Sequence, residues 1–134
     1  MKVVLDQKTL QNIAAFQEVT RARVIDCLEN EIAIFFVVEK GMRILALGIR
    51  GERLERLQRI FGKKVRVIEY SENLEEFVRN LVPEAQKIEI ANKLVKIRVS
   101  KYHKPRVIGK DKRNLMIIQG FLKRLFNIEE VKVL

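Results

Sequence analysis

Two short glycine loops, Gly48-Ile49-Arg50-Gly51 and Gly109-Lys110-Asp111-Lys112, stand 61 residues apart (109 − 48). Each follows an apolar, strand-like run at the same offset, Ala33–Val38 before the first and Leu94–Val99 before the second. Each also opens a helix-like run. Self-similarity at a fixed period, in matching context, marks an architecture built from copies of one supersecondary unit. A glycine loop at a helix start lets phosphate approach the backbone closely. Two such loops in a basic chain point to nucleic acid.

The same six elements are legible in each copy. In the first, Asp6 caps a helix from Thr9 to about Val19, with Leu10, Ile13, Ala14 and Gln17 on one stripe. Arg23–Leu28 and Ile32–Val38 read as strands, with Asn30 in the turn between them. A short helix, Met42–Leu47, leads to the first glycine loop. Gly51–Phe61 is a strongly amphipathic helix that turns Leu54, Leu57 and Phe61 inward and stops at Gly62. Lys64–Ile68 closes the unit as a strand.

In the second copy, Ser71 caps a helix carrying Leu74, Phe77, Val78 and Leu81, and Pro83 ends it. Lys87–Ala91 and Leu94–Val99 are strands. Pro105 opens a short helix to Ile108. Arg113–Phe126 is a long helix, and Val131–Val133 is the last strand. The expected fold is α+β: two units, 1–70 and 71–134, each helix-strand-strand-helix-helix-strand with helices on one face of a small sheet. The copies differ in helix length, since Gly51 to Phe61 is 10 residues and Lys112 to Phe126 is 14. Four extra residues are close to one turn of about 3.6, so the apolar stripe keeps its face.

Charge is unevenly spread. Residues 1–80 hold 14 basic and 12 acidic side chains, whereas residues 81–134 hold 13 and 5. The stretch Lys93–Arg113 sets nine basic residues against Asp111 alone. Such a field attracts polyanions. A lysine-rich solvated surface is the bland alternative.

Other function classes find little support. No run approaches the ~20 apolar residues of a membrane span, and Met1-Lys2-Val3-Val4-Leu5 is too short for a secretory signal. Cys27 has no partner for an internal disulfide and reads as a core residue; a cytoplasmic location is expected. The sole histidine, His103, lacks a cysteine or carboxylate at metal-ligand spacing and reads as a loop or cap residue. No Gly-x-x-x-x-Gly-Lys-Ser/Thr motif is present. No enzyme activity, metal or cofactor is expected. Tyr70 and Tyr102 are candidates for stacking on bases. The second strand of the first copy is apolar on both sides, at Ala33, Phe35 and Val37 as well as at the alternate positions. That outer face is expected to meet the second copy or a protein partner.

The unit strand, short helix, Gly-x-x-Gly, amphipathic helix, strand resembles the KH domain. The preceding helix and strands match its bacterial and archaeal variant. Two in tandem, with Ala46-Leu47-Gly48-Ile49-Arg50-Gly51, Val65-Arg66-Val67-Ile68-Glu69-Tyr70-Ser71-Glu72 and Val107-Ile108-Gly109-Lys110-Asp111-Lys112-Arg113-Asn114, resemble the NusA family of transcription factors in its short archaeal form. That resemblance implies a factor of transcription termination, antitermination or elongation that binds single-stranded RNA. RNA polymerase is a partner by family inference, and no membrane is implied. In KH domains the Gly-x-x-Gly loop clamps the backbone of unpaired nucleotides against an apolar groove. Carried over, the RNA-binding residues are Leu47, Gly48, Ile49, Arg50, Gly51 and Arg53 in the first copy. In the second they are Ile108, Gly109, Lys110, Asp111, Lys112 and Arg113, with Lys101 and Arg106 adding charge. Ile44 could form part of a groove wall with Leu47. The second loop departs from the pattern, with Lys112 for the second glycine. It would bind RNA by charge, or its Asp111 would be held by a neighbouring lysine. The alternatives are a role in ribosome assembly or RNA decay, or a KH-like module for protein interaction.

Overall fold

The computed structural model describes residues 5–134. Met1–Val4, most of the stretch weighed as a secretory signal, lie outside them. The chain divides into two compact units between Ser71 and Glu72. The first holds α1 (Gln7–Thr20), β1 (Val24–Glu29), β2 (Ala33–Val38), α2 (Arg43–Leu47), α3 (Glu52–Phe61) and β3 (Lys64–Glu69). The second holds α4 (Leu74–Leu81), β4 (Lys87–Ala91), β5 (Leu94–Arg98), α5 (Lys104–Ile108), α6 (Arg113–Phe126) and β6 (Glu130–Val133). The architecture is α+β, with a three-stranded sheet in each unit.

Both sheets are wired alike. β2 pairs antiparallel with β1 and parallel with β3. β5 pairs antiparallel with β4 and parallel with β6. A tight turn suffices for the antiparallel pair. In the first, Asn30 Oδ1 accepts from the Ile32 and Ala33 amides at 2.9 and 3.0 Å. A parallel pair needs a long crossover, and in each unit that crossover carries the short helix, the loop and the amphipathic helix.

In the first unit Ile34, Phe36 and Val38 alternate along β2 and join Cys27, Val65 and Val67 on one face. Ile13 and Phe16 of α1, Ala46 of α2 and Leu57 of α3 complete that core, with Leu54 and Phe61 packed against it. Phe16 stacks on Phe36 with ring centroids 4.1 Å apart. β2 is buried along its whole length, Phe35 and Val37 included. In the second unit only the alternate residues Val95 and Ile97 of β5 are fully buried, and Arg98 is exposed. Phe77, Val78 and Leu81 of α4 and Ile117, Ile118, Phe121, Leu122 and Leu125 of α6 are buried too.

Two local expectations are corrected. The buried stripe of α1 is Ile13, Phe16 and Thr20, whereas Leu10 and Ala14 are exposed. The Phe16 ring offers more apolar surface than Leu10 or Ala14, and it takes the inward position. The cap of α4 is Asn73, not Ser71. Asn73 has extended backbone and accepts from the Glu76 amide at 2.8 Å, while Ser71 is buried two residues earlier. Only the residue directly before the first helical turn can reach that orphan amide.

Candidate functional site

α2 and α5 are single turns of helix that end at Gly48 and Gly109. The loops after them follow nearly one backbone path. Gly48 lies at φ 76°, ψ 177° and Gly109 at φ 77°, ψ 166°. Arg50 (54°, 26°) matches Asp111 (55°, 31°), and Gly51 (73°, 19°) matches Lys112 (60°, 22°). The corners close alike, by Gly51 N–H to Gly48 O at 3.2 Å and Lys112 N–H to Gly109 O at 3.1 Å.

The two glycines of the first loop meet different demands. Positive φ with ψ near 180° is a region open essentially to glycine alone. A Cβ on Gly48 would also meet Arg53 Cγ at 2.8 Å and the Arg53 backbone nitrogen at 3.1 Å. At Gly109 it would meet Asn114 Nδ2 at 3.0 Å and Arg113 Cγ at 3.1 Å. Gly51 is left-handed, a conformation that other residues reach at roughly 1–2 kcal/mol, and a Cβ there meets nothing within 4 Å. Lys112 therefore replaces the second glycine without altering the loop's path.

A brace across each corner was not foreseen. Arg53 Nη1 donates to the Leu45 carbonyl at 2.7 Å, and Asn114 Nδ2 donates to the Arg106 carbonyl at 2.9 Å. Both donors lie five residues after the first glycine and both acceptors three before it. Each ties the long helix to an orphan carbonyl of the short one. Arg53 thus has a positioning role besides its charge. Asn114 was absent from the expected site, although the 61-residue offset from Arg53 points to it.

The corners present different chemistry. Around the first, Ile44 is 82% and Ile49 77% exposed, with Arg50 exposed beside them. Leu47 is half-buried against the core. Around the second, the positions of Ile44, Leu45 and Ile49 are taken by Pro105, Arg106 and Lys110. Lys101, Arg106, Lys110, Asp111 and Lys112 are exposed. Asp111 makes no ion pair among the described residues, so no lysine holds it. Arg113 is half-buried and donates from Nε to the Lys110 carbonyl at 3.2 Å, and Ile108 is half-buried. No side chain caps the start of α3 or α6. The first turn of α3 carries Glu52 and Glu55, whereas that of α6 has no acidic residue. The second loop carries its own carboxylate, Asp111, among Lys110, Lys112 and Arg113, so cations outnumber it three to one there.

No family model matches the chain. Among curated proteins, a probable transcription termination protein NusA from Methanococcus vannielii is 30% identical over 99% of this chain and 80% of its own length. The chain belongs to the NusA family. A probable NusA from Methanocaldococcus jannaschii is also 30% identical, over 99% of this chain and 76% of its own. One from Thermoplasma acidophilum is 28% identical over 98% and 96%. A crystal structure of APE1850 covers 97% of this chain and 100% of its own, at 29% identity and a TM-score of 0.76. The NusA relatives are named for transcription termination, so the chain is a transcription-associated factor. Among the described residues no group of three or more His, Cys, Asp or Glu is placed to hold a metal ion. No helix among them is long and apolar enough to cross a membrane.

Proposed function

We propose that the chain is a tandem KH protein that binds single-stranded RNA through its two glycine corners and acts in transcription termination, antitermination or elongation. The observation that carries this reading is the pair of matched corners. Two loops of different sequence keep one backbone path, each with a glycine in a conformation reserved to glycine, at the uncapped start of an amphipathic helix. That arrangement suits close approach by a phosphate, with helical N–H groups and the dipole's positive end aimed at it. The copies divide the work. Ile44 and Ile49 offer aliphatic surface to base faces, and Lys110 and Lys112 offer charge to phosphates. Contact with RNA polymerase rests on family membership.

Gly51→Asp tests the reading. Aspartate tolerates the left-handed conformation better than most residues, and the site has room for it. Affinity for a labelled single-stranded RNA should fall about tenfold, the size of one lost charged contact, while the protein stays folded with a melting point lowered by no more than about 10 °C. Unchanged affinity by fluorescence anisotropy would remove Gly51 from the site. The protein-interaction alternative has less support, since Ala33, Phe35 and Val37 are buried.

A further inference from the structure

We infer that Tyr102 is a stacking platform for an unpaired base of the RNA whose backbone the Gly109 corner holds, an inference that rests on the RNA-binding reading above. Tyr102 is 85% exposed, on the turn that leads into α5. An exposed tyrosine alone needs no explanation. This one stands on a turn that holds it in place. The His103 amide donates to the Ser100 carbonyl and to Ser100 Oγ, both at 3.2 Å, and the Lys104 amide donates to that carbonyl at 3.0 Å. Ser100 Oγ and His103 Nδ1 lie 3.0 Å apart in hydrogen-bonding contact. The imidazole meets the Tyr102 ring edge to face, with centroids 5.1 Å apart and planes at 80°.

Exposed cations stand on either side of Tyr102 in the chain: Lys101 before it, Lys104 after it and Arg106 one turn along α5. Among the described residues none of the three is in an ion pair. α5 has five residues, so at 1.5 Å per residue only about 7.5 Å of helix separates the turn from Gly109. An aromatic face beside backbone-neutralising charge is how proteins hold single strands without reading their sequence. The first unit has Gly41 at the equivalent position, 61 residues earlier, and presents Ile44 and Ile49 instead. The second unit lacks those isoleucines and has the ring.

The test is anisotropy with a fluorescein-labelled pool of random single-stranded RNA, over a range of salt concentrations. Tyr102→Ala should weaken binding at least about fivefold, and Tyr102→Phe should retain it. The slope of log affinity against log salt should match the wild type in both variants, because a neutral ring displaces no counterions. Tyr102→Ala within twofold of wild type, or equal losses in the two variants, would overturn the stacking role and leave RNA binding intact. A wild-type chain that binds no RNA would overturn both.

Discussion

At each corner one residue is fixed by stereochemistry and one is not. The first glycine combines positive φ with extended ψ, and a Cβ on it would crowd the next helix, at 2.8 Å for Gly48 and 3.0 Å for Gly109. The second position is left-handed and open, occupied by Gly51 in one copy and Lys112 in the other. The helix ends repeat the rule: α3 stops on left-handed Gly62, α6 on left-handed Asn127. Where the conformation is merely left-handed, the second unit has another residue; where it is not, both units have glycine. Gly48→Ala should therefore lower unfolding stability by about 3 kcal/mol, the top of the range for such backbone strain, because its Cβ also meets Arg53 Cγ at 2.8 Å. Gly51→Lys should stay within roughly 1–2 kcal/mol of wild type, both read from urea denaturation. Equal costs would refute the distinction.

At the scale of elements the order of helices and strands in each unit is legible, because hydrophobic period and glycine punctuation report local structure. The sequence pattern places α6 and β4 at their observed bounds, Arg113–Phe126 and Lys87–Ala91. The faults were in choices between neighbours. Leu10 and Phe16 both lie on the apolar side of α1, and only packing against Phe36 shows which is buried. Ser71 and Asn73 are both good caps, and the register of α4 decides. The braces from Arg53 and Asn114 join side chain to carbonyl across a corner, which no periodicity encodes.

A salt-bridge cluster joins elements in the same hidden way. Glu29 on β1 takes Lys63 Nζ at 2.9 Å and Lys8 Nζ of α1 at 3.1 Å, and Lys63 also donates to the Asn30 carbonyl at 2.9 Å. The hydrogen bond from Lys63 holds the Glu29 carboxyl below its ordinary value; partial burial works against it, and Lys8 adds to the lowering. A carboxylate whose folded pKa is depressed adds stability above its unfolded pKa and loses it as pH falls through the folded one. Glu29→Gln should cost up to about 1 kcal/mol at pH 7, because the cluster is partly solvated. The difference should narrow as pH falls through the lowered folded value of Glu29, in melting curves taken across the acid range. A gap that keeps its size however far the pH falls would show the carboxylate charge to be irrelevant.

Across the whole molecule most of the net positive charge lies in the C-terminal part, with 13 basic against 5 acidic residues over 81–134. If that half grips phosphate through charge, RNA affinity should fall with salt at about −0.7 per phosphate neutralised in the log–log plot. The double variant Lys110→Gln/Lys112→Gln should flatten that slope by roughly 1.4, whereas Ile44→Ala/Ile49→Ala should weaken binding and keep the slope. Identical slopes for all three proteins would show that the second corner takes no part. The open left-handed position separates the charge of a corner from its path. A side chain can vary there without crowding the next helix, since a Cβ on Gly51 meets nothing within 4 Å. Residue 112 is then a dial on a fixed frame: its side chain sets how hard the corner pulls, and the frame keeps its path at a cost of roughly 1–2 kcal/mol.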